Sequence, residues 1–182
     1  VQRVAVLALG NVLMGDDGLG PAVAAQLRAC YRFPDDVPLL DLGTPGLALC
    51  THLEPWQRVI LVDALYGPRA AGRVVVLRGA AAVVGLSSAR AGAHEPGLDY
   101  ALLAAGLLGN ACPDLVLIGA VVRSAGPGAS LSPTLARAAG RVAALVVRQL
   151  DRWGVNVVQH DDPAASRIWW GPQRAERSPC TR

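Results

Sequence analysis

Six apolar residues in succession, Val4–Leu9, run straight into Gly10-Asn11-Val12-Leu13-Met14-Gly15-Asp16-Asp17-Gly18-Leu19-Gly20, and an Ala/Leu-rich helical pattern follows. An unbroken apolar run of that length indicates a strand covered on both faces. Strand, glycine-rich loop and helix in immediate succession put the loop at the carboxyl edge of a sheet, where open α/β folds hold their ligands. Two adjacent carboxylates there repel each other unless a cation or a proton offsets them. The alternative for Asp16 or Asp17 is a capping role at the start of the helix, which Asp favours.

The same alternation continues along the chain. Pro21–Tyr31 reads as a helix, with Val23, Leu27 and Cys30 at helical spacing and Pro21 in the first turn. A short strand at Leu39–Leu42 ends in Gly43-Thr44-Pro45-Gly46, and a brief helix covers Leu47–Leu53. Val59–Asp63 is the third strand, apolar until a carboxylate closes it. Arg73–Arg78 is the fourth, and only Ala64–Gly72 separates the two. A parallel crossover needs about a dozen residues or more, so this strand is expected to run antiparallel. Residues 79–93 read as a surface loop in which Ala80–Val84 forms at most a helical turn, and 98–108 as a helix. Asp114–Val122 is the fifth strand, and Ser132-Pro133 opens a long helix that turns Leu135, Ala138, Val142, Leu145, Val146 and Leu150 inward. Alternating strands and helices specify a three-layer α/β/α sandwich whose five-stranded sheet is mixed and mostly parallel. One domain over residues 1–153 is expected, with 154–182 as a polar C-terminal extension.

Composition narrows the class. Of 182 residues, 52% are hydrophobic and 17% charged, which describes a folded chain with a real core. Every basic residue is Arg, much of the positive charge lies in the tail, and no basic helix interleaved with aromatics appears, which argues against nucleic acid as partner. No apolar run reaches the ~20 residues of a membrane span, and no secretory signal opens the sequence. Cys30, Cys50, Cys112 and Cys180 form no C-x-x-C pair and read as buried thiols of a cytoplasmic protein.

Three groups fall at one predicted sheet edge: Asp17 after the first strand, Asp63 closing the third, and His94 before the helix that follows the fourth. Two carboxylates and an imidazole suffice to contact a divalent transition ion and leave positions open on it. By residue type alone, Asp63 serves equally as a turn cap and His94 as a solvated loop residue. Gly18-Leu19-Gly20-Pro21-Ala22-Val23 imitates a dinucleotide fingerprint, but Val23 stands at the third glycine and Pro21 lacks an N–H for phosphate.

The ordered set Gly10–Gly20, Asp41-Leu42-Gly43-Thr44-Pro45-Gly46, Val59–Ala64, His94-Glu95-Pro96-Gly97-Leu98 and Leu131-Ser132-Pro133 resembles the [NiFe]-hydrogenase maturation endopeptidases over about residues 3–150. The resemblance implies a phosphorylase/hydrolase-like α/β/α fold and removal of a C-terminal peptide from the hydrogenase large-subunit precursor after nickel insertion. It implies metal contacts from Asp17, Asp63 and His94, an activity-associated acid at Asp41, and a substrate-side loop at Gly43-Thr44. Nickel would arrive with the precursor, and no organic cofactor is implied. A noncatalytic nickel-sensing chaperone and a dinucleotide-binding enzyme are the rival readings. One departure stands out: after the fifth strand many relatives carry Glu or Gln and then Pro, whereas this chain reads Gly119-Ala120-Val121-Val122.

Overall fold

A computed structural model describes residues 3–87, 102–103 and 114–161. Its element order is β1 (Val4–Ala8), α1 (Leu19–Cys30), β2 (Tyr31–Arg32), β3 (Leu39–Asp41), α2 (Leu49–Leu53), β4 (Arg58–Tyr66), β5 (Val74–Arg78), α3 (Ala80–Ser87), β6 (Asp114–Val122), α4 (Pro133–Arg152) and β7 (Val158–Gln159). Five strands form one sheet in the order β3-β1-β4-β6-β5. The pairs β1–β3, β1–β4 and β4–β6 are parallel, and β5 runs antiparallel to β6. The short connection after β4 forces that reversal, as its length requires.

Strand alternation sends side chains into two cores. Val4, Val6, Ile60, Val62, Val116 and Ile118 meet α1 and α4 on one face. Ala5, Leu7, Leu61, Leu115 and Leu117 meet α2 on the other, together with Val83 of α3. All five residues of β1 are buried, which explains an apolar run with no polar alternation. In α4, Leu135, Ala138, Val142, Val146 and Leu150 are buried as the helical period requires, while Leu145 is only half-buried. Ser132 caps that helix, its Oγ accepting from Leu135 N at 3.3 Å.

The structure departs from the sequence pattern in four places. β4 extends to Tyr66 because β6 stays in register beside it, pairing Asp63–Tyr66 with Gly119–Val122. Asp63 therefore lies inside a strand rather than at its end or on a turn. Residues 80–87 form a full helix; its sequence lacks an amphipathic period, so only tertiary contact through Val83 marks its buried side. After Trp153, β7 pairs antiparallel with β2 and His160 N donates to Cys30 O at 2.8 Å, which ties the chain to the domain as far as it is described. Cys30 is disulfide-bonded, not a thiol, whereas Cys50 is free. The expected helix over 98–108 lies almost wholly outside the described residues.

Among the described residues no helix is long and apolar enough to cross a membrane. Leu117 is 1% exposed and Leu13 64% exposed. Urea unfolding should show Leu117→Ala losing about 2–5 kcal/mol of stability, against less than about 0.5 kcal/mol for Leu13→Ala.

Candidate functional site

The loop after β1 is shaped by one close approach. Gly10 adopts φ +138°, and a Cβ there would stand 2.0 Å from the carbonyl oxygen of Asp17. No L side chain fits, so glycine lets the loop fold back on the 3-10 turn Gly15–Gly18. The fold-back brings Asn11 N to donate to Asp17 Oδ2 at 2.9 Å. Tyr66 Oη, at the end of β4, donates a long 3.3 Å hydrogen bond to Asp17 Oδ1. Each oxygen of Asp17 is thus engaged, and its carboxylate is held over the ends of β1 and β4.

Neither acid of the Asp16-Asp17 pair caps α1, whose N-cap Gly18 receives no side-chain bond. Asp16 instead accepts from Ser132 N at 2.6 Å. Gly15 N donates to Gly128 O at 2.7 Å and Gly128 N to Leu13 O at 2.9 Å, so the loop before α4 is stitched to the loop before α1. Adjacent carboxylates coexist because their oxygens accept from different donors on opposite sides of the turn. Asp16 thus serves as an acceptor that ties the loop before α4 to the loop before α1.

A second set of backbone bonds joins the neighbouring loop. Leu42 N donates to Ala8 O at 3.0 Å and Gly10 N to Gly43 O at 2.9 Å. Asp41 Oδ1 accepts from Gly43 N at 3.1 Å, an Asx-type turn that holds this acid at the rim. Between the two loops opens a cavity of about 310 Å³ lined by Gly10, Asn11, Val12, Asp41, Gly43 and Thr44. Two apolar side chains, Leu13 and Leu47, stand exposed just beyond the lining segments. Asp63 is 5% exposed, one residue beyond Val62, whose carbonyl accepts from Leu9 N at 2.8 Å. Behind it, a Cβ on Gly119 would lie 2.2 Å from Asp63 O, so a side chain at this position would part the two strands.

Of the residues singled out from sequence, Asp41, Gly43 and Thr44 line one cavity, and the Asp17 turn packs against β4, the strand that carries Asp63. His94 lies outside the described residues. Among the described residues no three His, Cys, Asp or Glu side chains group closely enough to hold a metal ion. Sequence reasoning missed the contact of Tyr66 with Asp17 and that of the Ser132 amide with Asp16. Their partners lie 49 and 116 positions away, and no local pattern encodes such contacts. Ala120, Val121 and Val122 are buried strand residues.

A mostly parallel sheet whose carboxyl edge gathers two acids and a glycine loop defines an α/β protein with its site at that edge. The family model for HycI, hydrogenase maturation protease, matches residues 21–149. The hydrogenase expression/formation protein HupD of Bradyrhizobium diazoefficiens is 32% identical over 165 residues, 90% of this chain and 86% of that protein. The hydrogenase 2 maturation protease of Escherichia coli is 31% identical over 135 residues, 74% of this chain and 82% of its own length. The solved structure of the hydrogenase maturating endopeptidase HybD from E. coli superposes with a TM-score of 0.80 at 29% identity, covering 88% of this chain and 99% of that one. The chain belongs to the hydrogenase maturation proteases, and it is an endopeptidase. The dinucleotide-enzyme and chaperone alternatives are not favoured.

Asp16→Ala leaves the Ser132 amide without its acceptor. Thermal and urea unfolding should register a loss of about 1–3 kcal/mol, and Asp16→Asn, which keeps a carbonyl oxygen in place, should recover part of it.

Proposed function

We propose that this endopeptidase removes the C-terminal extension of the [NiFe]-hydrogenase large-subunit precursor once nickel has been inserted. The observation that carries the reading is the stitching of the loops after β1 and β3. It holds Asp41 and the Gly43-Thr44 segment on the lining of one open cavity at the carboxyl edge of the sheet, next to the loop whose fold-back fastens Asp17. An open, polar-rimmed cavity between short loops suits an extended chain end presented by another folded protein.

In this reading Asp17, Asp63 and His94 approach the ion that the precursor itself carries. Carboxylate oxygens and imidazole nitrogen are acceptable donors to nickel, and a metal held mainly by the substrate keeps positions free for them. Affinity then differs between loaded and empty precursor, and that difference is the physical basis for cutting only after insertion. Hydrolysis adds water across the scissile amide: the carbonyl carbon gains an oxygen, the C–N bond breaks, and the leaving nitrogen takes a proton. Asp41, exposed at the rim, is our candidate for handling that proton, with Gly43-Thr44 steadying the substrate backbone. Asp17 is fastened by Asn11 N and Tyr66 Oη, so its carboxylate is oriented before substrate arrives. The expected partner is this precursor, with neither nucleic acid nor membrane involved. The proposed site of action is the cytoplasm.

Nickel-loaded and nickel-free precursor should be incubated with the protein and followed by intact mass. Only the loaded form should shorten, and Asp17→Ala, Asp63→Ala and His94→Ala should each slow the cut by roughly a hundredfold or more. Equal cutting of both forms would overturn the nickel checkpoint. Binding of loaded precursor without any cutting would return the chaperone reading.

A further inference from the structure

A second concavity, of about 460 Å³, lies between α4 and the start of β5. Its floor is aliphatic: Val74 of β5, with Ala144 and Leu145 of α4. Three arginines rim it. Arg141 and Arg148 sit seven positions apart on α4, two turns along one helix face. Arg73 stands opposite, at the entry to β5. All three are exposed, and among the described residues none is in an ion pair. Arg141 uses one of its five N–H groups on Gly72 O at 2.9 Å, which ties the helix to the strand entry and keeps the groove's walls together.

β5 is also an edge strand, and among the described residues no strand pairs with its outer side. An edge of this kind offers backbone donors and acceptors to an added extended chain. Because β5 runs antiparallel to β6, its entry lies at the end of the sheet where β1, β4 and β6 finish. Val74 is in register with Ala120, which is in register with Ala64, the neighbour of Asp63. Two strand spacings, about 10 Å, separate Val74 from Ala64.

We infer that the Arg73–Arg141–Arg148 groove docks an acidic, extended segment of the protein substrate, at the same end of the sheet as the cleavage cavity but on the opposite flank. Three cations with no internal acid in the lining call for carboxylates. The aliphatic floor accepts alternate apolar side chains, and the strand edge accepts a backbone. The lining holds no aromatic ring on which bases could stack, which sets nucleic acid aside. The inference rests on the precursor being the substrate, and adds that the precursor presents acidic side chains to this face.

Fluorescence anisotropy on the full chain should use a short labelled peptide of alternating Glu and Val, with a Lys–Val peptide and an oligothymidylate of matched charge as controls. The Glu peptide should bind in preference to both. Arg73→Glu with Arg148→Glu should weaken it about tenfold, and Arg73→Lys with Arg148→Lys should restore most of the binding. With loaded precursor, the charge-reversed variant should show a raised KM and little change in kcat. Unchanged peptide affinity in that variant, equal binding of the Lys peptide, preference for the oligonucleotide, or an unchanged KM would each overturn the groove. Peptide binding requires no cutting: groove-dependent binding in a protein that processes no precursor would discard the protease reading alone.

Discussion

The site depends on one contact, the approach of residue 10 to the Asp17 carbonyl, at a separation where only hydrogen can stand on the α-carbon. That approach turns the first loop back on itself and carries the Asn11 amide to the Asp17 carboxylate. The same loop lends Gly10 N to the carbonyl of Gly43. A single backbone constraint therefore orients one acid and fastens the loop that bears another. Relaxing it would free Asp17 to rotate toward water, and the cavity between the two loops would lose one wall.

Beneath those loops the sheet is a rigid support. β1 and β4 are buried on both faces, between a core under α1 and α4 and a second core under α2 and α3. Close-packed interiors of this kind deform little, so groups at the strand ends inherit fixed positions. Asp63 belongs to this support more than to the loops, since it lies within β4 and is nearly inaccessible. Asp16 contrasts with it: its carboxylate is absorbed in holding the α4 cap loop against the first loop.

The departure at Gly119–Val122 gains a physical meaning from the register. Gly119 must lack a side chain because Asp63 O occupies the space, and the three residues after it extend β6 so that β4 can continue to Tyr66. That extension delivers the Tyr66 hydroxyl to Asp17. The positions after Gly119 are apolar in this chain, and the strand pair they extend carries a phenol at its end. The arginine groove lies along the same edge of the sheet, on the flank that β5 leaves uncovered.

Layering, the five strands of the main sheet and the antiparallel run of its fourth strand in sequence were legible, because apolar runs, caps, glycines and connection lengths act locally. The unbroken run Val4–Leu9 demanded cover on both faces, and the nine residues Ala64–Gly72 between the third and fourth strands read from the sequence forbade a crossover. Tertiary structure alone decided what each acid does. Asp16 and Asp17 are identical neighbours in sequence, yet one accepts from Ser132 and the other from Asn11 and Tyr66, because the 3-10 turn Gly15–Gly18 aims successive side chains in different directions. It also decided that residues 80–87 are helical, that β7 returns to β2, that Cys30 is bridged, and that Arg73 shares a groove with two arginines of α4. Each of those outcomes depends on partners brought close only when the sheet assembles, and no local pattern carries that information.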